Sequence, residues 1–222
     1  MRCSVTYTVI YLALFTAVSL GQDASPTPVV KKANARPADA QVAAVEPFDK
    51  ADVKTMASKC VTLDTESGVI EIELFPESAP ESVRNFLNLT ALGLFDTTTF
   101  SRVVPGFVIQ GGSLWTRDGG LTQAQAARAR RALQDEPNKI LHERGIVSMA
   151  RGDEANSAKT SFFILVGQGE HLDGKFAAFG RVTRGIEVVD AINKVPVTDE
   201  KPDKPVRLKK ASVTTCTPTS EN

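Results

Sequence analysis

Val61-Thr-Leu-Asp-Thr-Glu-Ser-Gly-Val-Ile-Glu-Ile-Glu-Leu-Phe75 holds two strand-like runs around a Glu66-Ser-Gly68 turn. Side chains two apart on a strand share a face, so Val69-Ile-Glu-Ile-Glu-Leu-Phe75, alternating apolar and acidic residues, predicts a strand buried on one side. With the turn, the two runs read as a β-hairpin. Working outward, Ser78-Ala-Pro-Glu-Ser offers a helix start with Pro80 in the first turn. Val83, Phe86, Leu87 and Leu89 follow at near-helical spacing, which predicts a helix from about Pro80 to Leu92. Gly145-Ile-Val-Ser-Met-Ala, Ser161-Phe-Phe-Ile-Leu-Val, Ala178-Phe-Gly-Arg-Val and Val206-Arg-Leu-Lys-Lys-Ala-Ser-Val read as further short strands, and Gly185 to Lys194 has helical periodicity. Many short strands with only two clear helices predict a mainly β fold closed into a barrel, which leaves no strand edge exposed.

The chain has 222 residues, 42% hydrophobic and 23% charged, which suits one good-sized globular domain. Lysine plus arginine equals aspartate plus glutamate at 26 each, so no overall field holds it on nucleic acid or an anionic membrane. At the N-terminus, Arg2 precedes an apolar run from Val9 to Leu20, and Ser19 and Gly21 follow where a signal peptidase would cut. Residues 1–21 therefore read as a signal peptide, too short in its apolar part for the roughly 20 residues of a spanning helix. The expected protein is exported, periplasmic or secreted, and membrane-anchored only if that segment stays uncleaved. Its expected state is a monomer.

Residues from Gln22 to about Pro47 mix proline, alanine and charge with little apolar periodicity, and a flexible tether is expected over 22–57. A domain over 58–218 and a short tail, 219–222, complete the expected organisation. Within the domain, Leu121 to Glu136 is rich in helix formers and groups Arg128, Arg130 and Arg131. It reads as a solvated helical insertion, or more sharply as a docking patch for an acidic partner. Cleavage after Gly21 would remove Cys3 and leave Cys60 and Cys216 as an even pair. With no CxxC and only His142 and His171 as soft partners, a metal site is not expected.

The run Phe100-Ser-Arg-Val-Val-Pro-Gly-Phe-Val-Ile-Gln-Gly-Gly112 closely resembles the signature of the cyclophilin family. Gly145-Ile-Val-Ser-Met-Ala-Arg151 with Ser161-Phe-Phe-Ile164, and Leu172-Asp-Gly-Lys-Phe-Ala-Ala-Phe-Gly180, agree with it in order and spacing. The resemblance runs from about Val61 to Val213. It implies an eight-stranded antiparallel closed barrel capped by two α-helices, and an enzyme that catalyses rotation about Xaa-Pro bonds in proline-containing polypeptide clients, with no cofactor and no metal.

Residue by residue, the resemblance puts Arg102 at the catalytic position, with Gln110 steadying it and bonding the substrate backbone. Phe107, Val108, Phe163 and Leu172 match positions forming an apolar slot for the proline ring. Ala150 and Arg151 match the stretch that aligns the substrate backbone like an added strand. Ser161 stands where relatives usually have glutamine, His171 where some have tryptophan, and Phe176 where histidine or tyrosine is frequent. These three are read as substrate-binding, His171 at the rim, while His142 is read as a structural loop histidine. In such a fold the first and last strands pair antiparallel, which makes a Cys60–Cys216 disulfide plausible.

Overall fold

The computed structural model describes residues 45–216. The expected signal peptide, the tether up to residue 44, and the tail at 219–222 lie outside the described residues. A short helix, α1 (Val53–Ala57), precedes the hairpin of β1 (Lys59–Thr65) and β2 (Gly68–Leu74). Then come α2 (Pro80–Ala91), β3 (Arg102–Val104), β4 (Val108–Gly111), α3 (Gln123–Ala129), β5 (Ile146–Met149) and β6 (Phe162–Leu165). The chain continues through β7 (Ala178–Arg184), α4 (Ile186–Asn193), a small hairpin of β8 (Val197–Thr198) and β9 (Lys201–Pro202), and β10 (Leu208–Thr215).

Eight strands form one antiparallel sheet in the order β10-β1-β2-β7-β5-β6-β4-β3, curled as a half-barrel. The closure expected of a full barrel is not a ladder. β3 is three residues long, and its Val103 N–H donates at 2.8 Å to the carbonyl of Glu200 in the β8–β9 hairpin. Contact with the far edge comes just before β3, at an isolated Thr99–Arg207 bridge. There Phe100 N donates to Val206 O at 2.9 Å and Leu208 N to Thr98 O at 2.8 Å.

Strands β5 and β6 are buried at every position, which is why their sequences are continuous apolar runs instead of alternating ones. One face meets the main core, where the Phe86 ring lies 5.3, 5.2 and 5.0 Å from those of Phe95, Phe162 and Phe179. The other face carries a second cluster of Val108, Phe163, Leu165, Leu172 and Ala178.

Helix α2 buries Val83, Phe86, Leu87 and Leu89, as its spacing predicts. Its first turn has Pro80 but no capping side chain of its own. The orphan donors go instead to Glu136, whose carboxylate accepts from Glu81 N at 2.9 Å, and from Ser82 N at 2.8 Å and Ser82 Oγ at 2.7 Å.

Two expectations require correction. Residues 45–57 are not tether: Met56 is fully buried, Asp52 caps α1, and Arg84 Nη1 donates to Phe48 O at 2.8 Å and Ala51 O at 2.6 Å. Single anchors such as Phe48 and Met56 leave no periodic trace, so a polar, proline-bearing segment conceals them. The 121–136 segment is helical only over α3, which opens with a Thr122–Gln125 capping box. Beyond Arg130 it runs without helix, tied by Leu133 N to Ala158 O. Its arginines are occupied within the fold: Arg128 and Glu46 form a pair with side chains only 9% exposed, Arg131 reaches the same carboxylate at 3.4 Å, and Arg130 stacks over Trp115. The docking-patch reading is weakened accordingly, since Arg128 and Arg131 already answer the chain's own Glu46.

The Cys60–Cys216 disulfide is formed, closing a sequence separation of 156 residues. Replacing both cysteines by serine should lower stability by up to about 5 kcal/mol in the chain-entropy account, read as a shift of the urea midpoint under non-reducing conditions. Glu46→Ala should cost about 3 kcal/mol, because it strands a buried guanidinium without its counter-charge. An unchanged midpoint would show that the pair contributes nothing.

Candidate active site

Antiparallel register decides which side chains meet. Arg102 on β3 pairs with Gln110 on β4, Gln110 with Phe163 on β6, and Phe163 with Ser148 on β5. Directly paired residues share a face, so these four form one row across the sheet. Their neighbours Val103, Ile109 and Ile164 point the other way and are fully buried in the main core.

The row opens into a cleft of about 260 Å³ walled by Arg102, Phe107, Val108, Gln110, Ala150 and Arg151, and by Phe163, His171, Leu172 and Phe176. Ten of the eleven residues predicted for catalysis and substrate binding therefore come together. Ser161 does not join the wall. Its carbonyl instead accepts from Ala150 N at 2.9 Å, which fixes the Ala150 segment from behind.

The β3–β4 turn, Val104-Pro-Gly-Phe107, has Gly106 at φ 73° and closes with Phe107 N donating to Val104 O at 3.0 Å. Proline at the second position and a positive-φ glycine at the third are what a type II turn requires. Asn193, at the end of α4, clamps this turn: Nδ2 donates to Val104 O at 2.9 Å and Val108 O at 3.0 Å, and Oδ1 accepts from Gly106 N at 2.7 Å. On the other side Val166 N donates to Phe107 O, and a Cβ at Gly167 would sit 2.5 Å from Gly106 O. Glycine is obligatory there because backbone meets backbone.

Phe163 stands edge-on to Phe176 at 5.9 Å, and Arg151 lies over the Phe176 ring at 4.9 Å. His171 is exposed and leans on Phe107 at 5.3 Å, the rim position expected of it. Arg102 is held at two points, its Nε donating to Glu200 Oε2 at 2.7 Å and its Nη1 reaching Gln110 Oε1 at 3.4 Å. Glu200 and Asn193 escaped the sequence reading, since neither spacing nor composition ties them to Arg102 or to the β3–β4 turn.

Beneath the cleft, His142 is buried in the structural role expected of it, with Nδ1 3.0 Å from Asp173 Oδ1 and Nε2 2.9 Å from Ser148 Oγ. A serine–histidine–aspartate line suggests acyl transfer, but Ser148 has no exposed surface from which to attack a substrate. The line instead ties β5 to the loop after Leu172.

A family model described as cyclophilin type peptidyl-prolyl cis-trans isomerase/CLD matches residues 60–213. The chain belongs to this family. Among curated relatives, peptidyl-prolyl cis-trans isomerase A of Dickeya dadantii is 35% identical over 163 residues, 69% of this chain and 83% of that one. The isomerase cypE of Dictyostelium discoideum is 37% identical over 159 residues, 71% of this chain and 99% of that one. An Arabidopsis thaliana isomerase is 36% identical over 146 residues, 65% of either chain. Among solved structures, a cyclophilin-type isomerase of Cryptosporidium parvum, determined in the presence of the dipeptide Ala-Pro, has a TM-score of 0.62 at 27% identity, covering 71% of this chain and 99% of that one. As a cyclophilin, the chain is a peptidyl-prolyl cis-trans isomerase that binds proline-containing peptides.

Asp173 titrates below the ordinary carboxylate range, chiefly because it accepts the His142 backbone N–H. A carboxyl depressed on folding adds stability that is present above its unfolded pKa, about 4, and is lost as pH falls through the folded value. Asp173→Asn should therefore lower the urea midpoint at pH 7, and the gap to the parent protein should shrink as pH falls below about 4. A gap independent of pH would contradict this.

Proposed function

We propose that the cleft beside Arg102 is the seat of prolyl isomerisation and that its clients are exported polypeptides. Rotation about a peptide bond is opposed by amide resonance, with a barrier of about 18–20 kcal/mol. In the twisted transition state the proline nitrogen becomes pyramidal and regains a lone pair. A fixed cationic donor aimed at that nitrogen binds the transition state better than either planar ground state. Arg102 supplies the donor, its charge is permanent at working pH, and no proton has to be transferred.

Phe107, Val108, Phe163 and Leu172 give the proline ring an apolar seat and exclude water, which strengthens the guanidinium's effect. Gln110 steadies Arg102 from the neighbouring strand. Ala150 and Arg151 lie in the same wall, where a substrate backbone would run as an added strand. The observation that carries this reading is the juxtaposition of one guanidinium with an apolar slot in a single cleft.

Export is supported by the leader-like residues 1–21 and by the Cys60–Cys216 bridge, a bond that persists in oxidising compartments. There the protein would act as a monomer on folding chains, where uncatalysed prolyl isomerisation takes tens to hundreds of seconds. A second reading, a module that holds proline segments with little turnover, draws on Ser161, whose side chain adds nothing to the wall.

Arg102→Ala should lower kcat/KM on a proline peptide by about 10²–10³-fold, the usual loss when a preorganised donor to developing charge is removed. NMR exchange spectroscopy would read both turnover and peptide binding. Wild-type turnover in the variant would refute the assignment of Arg102, and binding without turnover by the parent protein would select the second reading.

A further inference from the structure

The two-residue turn between β8 and β9 is built from Asp199 and Glu200, both left-handed, at φ 50° and 62°. Tight hairpin turns of this kind favour asparagine and glycine, and other residues endure them only where surrounding contacts compensate. Both compensating contacts go to β3. Glu200 O accepts from Val103 N at 2.8 Å, and Glu200 Oε2 accepts from Arg102 Nε at 2.7 Å. Glu200 is not among the residues that wall the cleft, and its side chain meets that wall at Arg102.

A guanidinium is planar and has five N–H donors. With Nε held by Glu200 and Nη1 by Gln110, the plane of Arg102 is fixed and its remaining donors are left for the cleft. A single anchor would leave a long side chain free to swing. We propose that Glu200 is a positioning residue for isomerisation: the strained β8–β9 turn is retained because it places a carboxylate on the side of Arg102 away from the substrate. This rests on Arg102 being the group that meets the proline nitrogen.

Two variants separate orientation from folding. Glu200→Gln keeps the shape and removes the charge, while Glu200→Gly removes the carboxylate and relieves the left-handed strain. With side chains 43% and 49% exposed, the pair supports a fall in kcat of about three- to fivefold in either variant. KM should change by less than about twofold, since interactions made only in the transition state act on kcat. The melting temperature of Glu200→Gly should not fall below that of the parent protein.

Rates come from NMR exchange spectroscopy on an Ala-Pro peptide, with the full chain. In an Arg102→Ala background Glu200→Gln should have no further effect, because its action passes through the missing arginine. At about 1 M salt the parent rate should fall toward that of Glu200→Gln as the exposed pair is screened. Unchanged or raised kcat in either variant, or the same fold-loss without Arg102, overturns the proposal while leaving the assignment of Arg102 intact. Wild-type turnover in Arg102→Ala overturns both.

Discussion

The register between β4 and β6 constrains everything at the site. Gln110 faces Phe163 and Ile109 faces Ile164, so successive residues go alternately to the cleft and to the core. A slip of one residue would send Phe162 and Ile164 toward the cleft and turn Phe163 and Leu165 into the core beside Phe86 and Phe95. Both faces of these strands are buried, so the penalty for slipping falls on both at once. The row from Arg102 to Ser148 thus inherits its alignment from core packing. The cleft residues on β3, β4 and β6 are held by the same contacts that hold the fold.

How legible this was depended on whether the partners were close in sequence. The β1–β2 hairpin and α2 could be read directly because alternation and helical spacing are local signals, and the Pro105-Gly106 turn announces itself by residue type. The slot residues needed the family resemblance, since a buried phenylalanine looks the same whether it lines a core or a cleft. What stayed hidden were contacts made over long separations by single polar side chains. Glu136 caps a helix 55 residues upstream, and Glu46 meets Arg128 across 82 residues. Composition describes such residues as solvated, and only the folded chain shows which charge each one answers. The same limit turned a folded N-terminal strap into a tether, and left Glu200 and Asn193 unread.

Several charges among the described residues are answered within the chain. Arg84 satisfies carbonyls of the strap, Arg144 pairs with Asp190 on α4, and Glu71 pairs with Arg184 across neighbouring strands. Arg151 spends two of its donors on backbone carbonyls while resting on Phe176.

Gly167 touches no peptide, yet its hydrogen atoms stand where a methyl group would press on the carbonyl of Gly106. Any side chain at that position must displace the Gly106 carbonyl, and with it the main chain that carries Phe107. In a screen scored by turnover alone, residue 167 would look like part of the substrate pocket, although its contribution is made wholly through main-chain crowding one layer behind it.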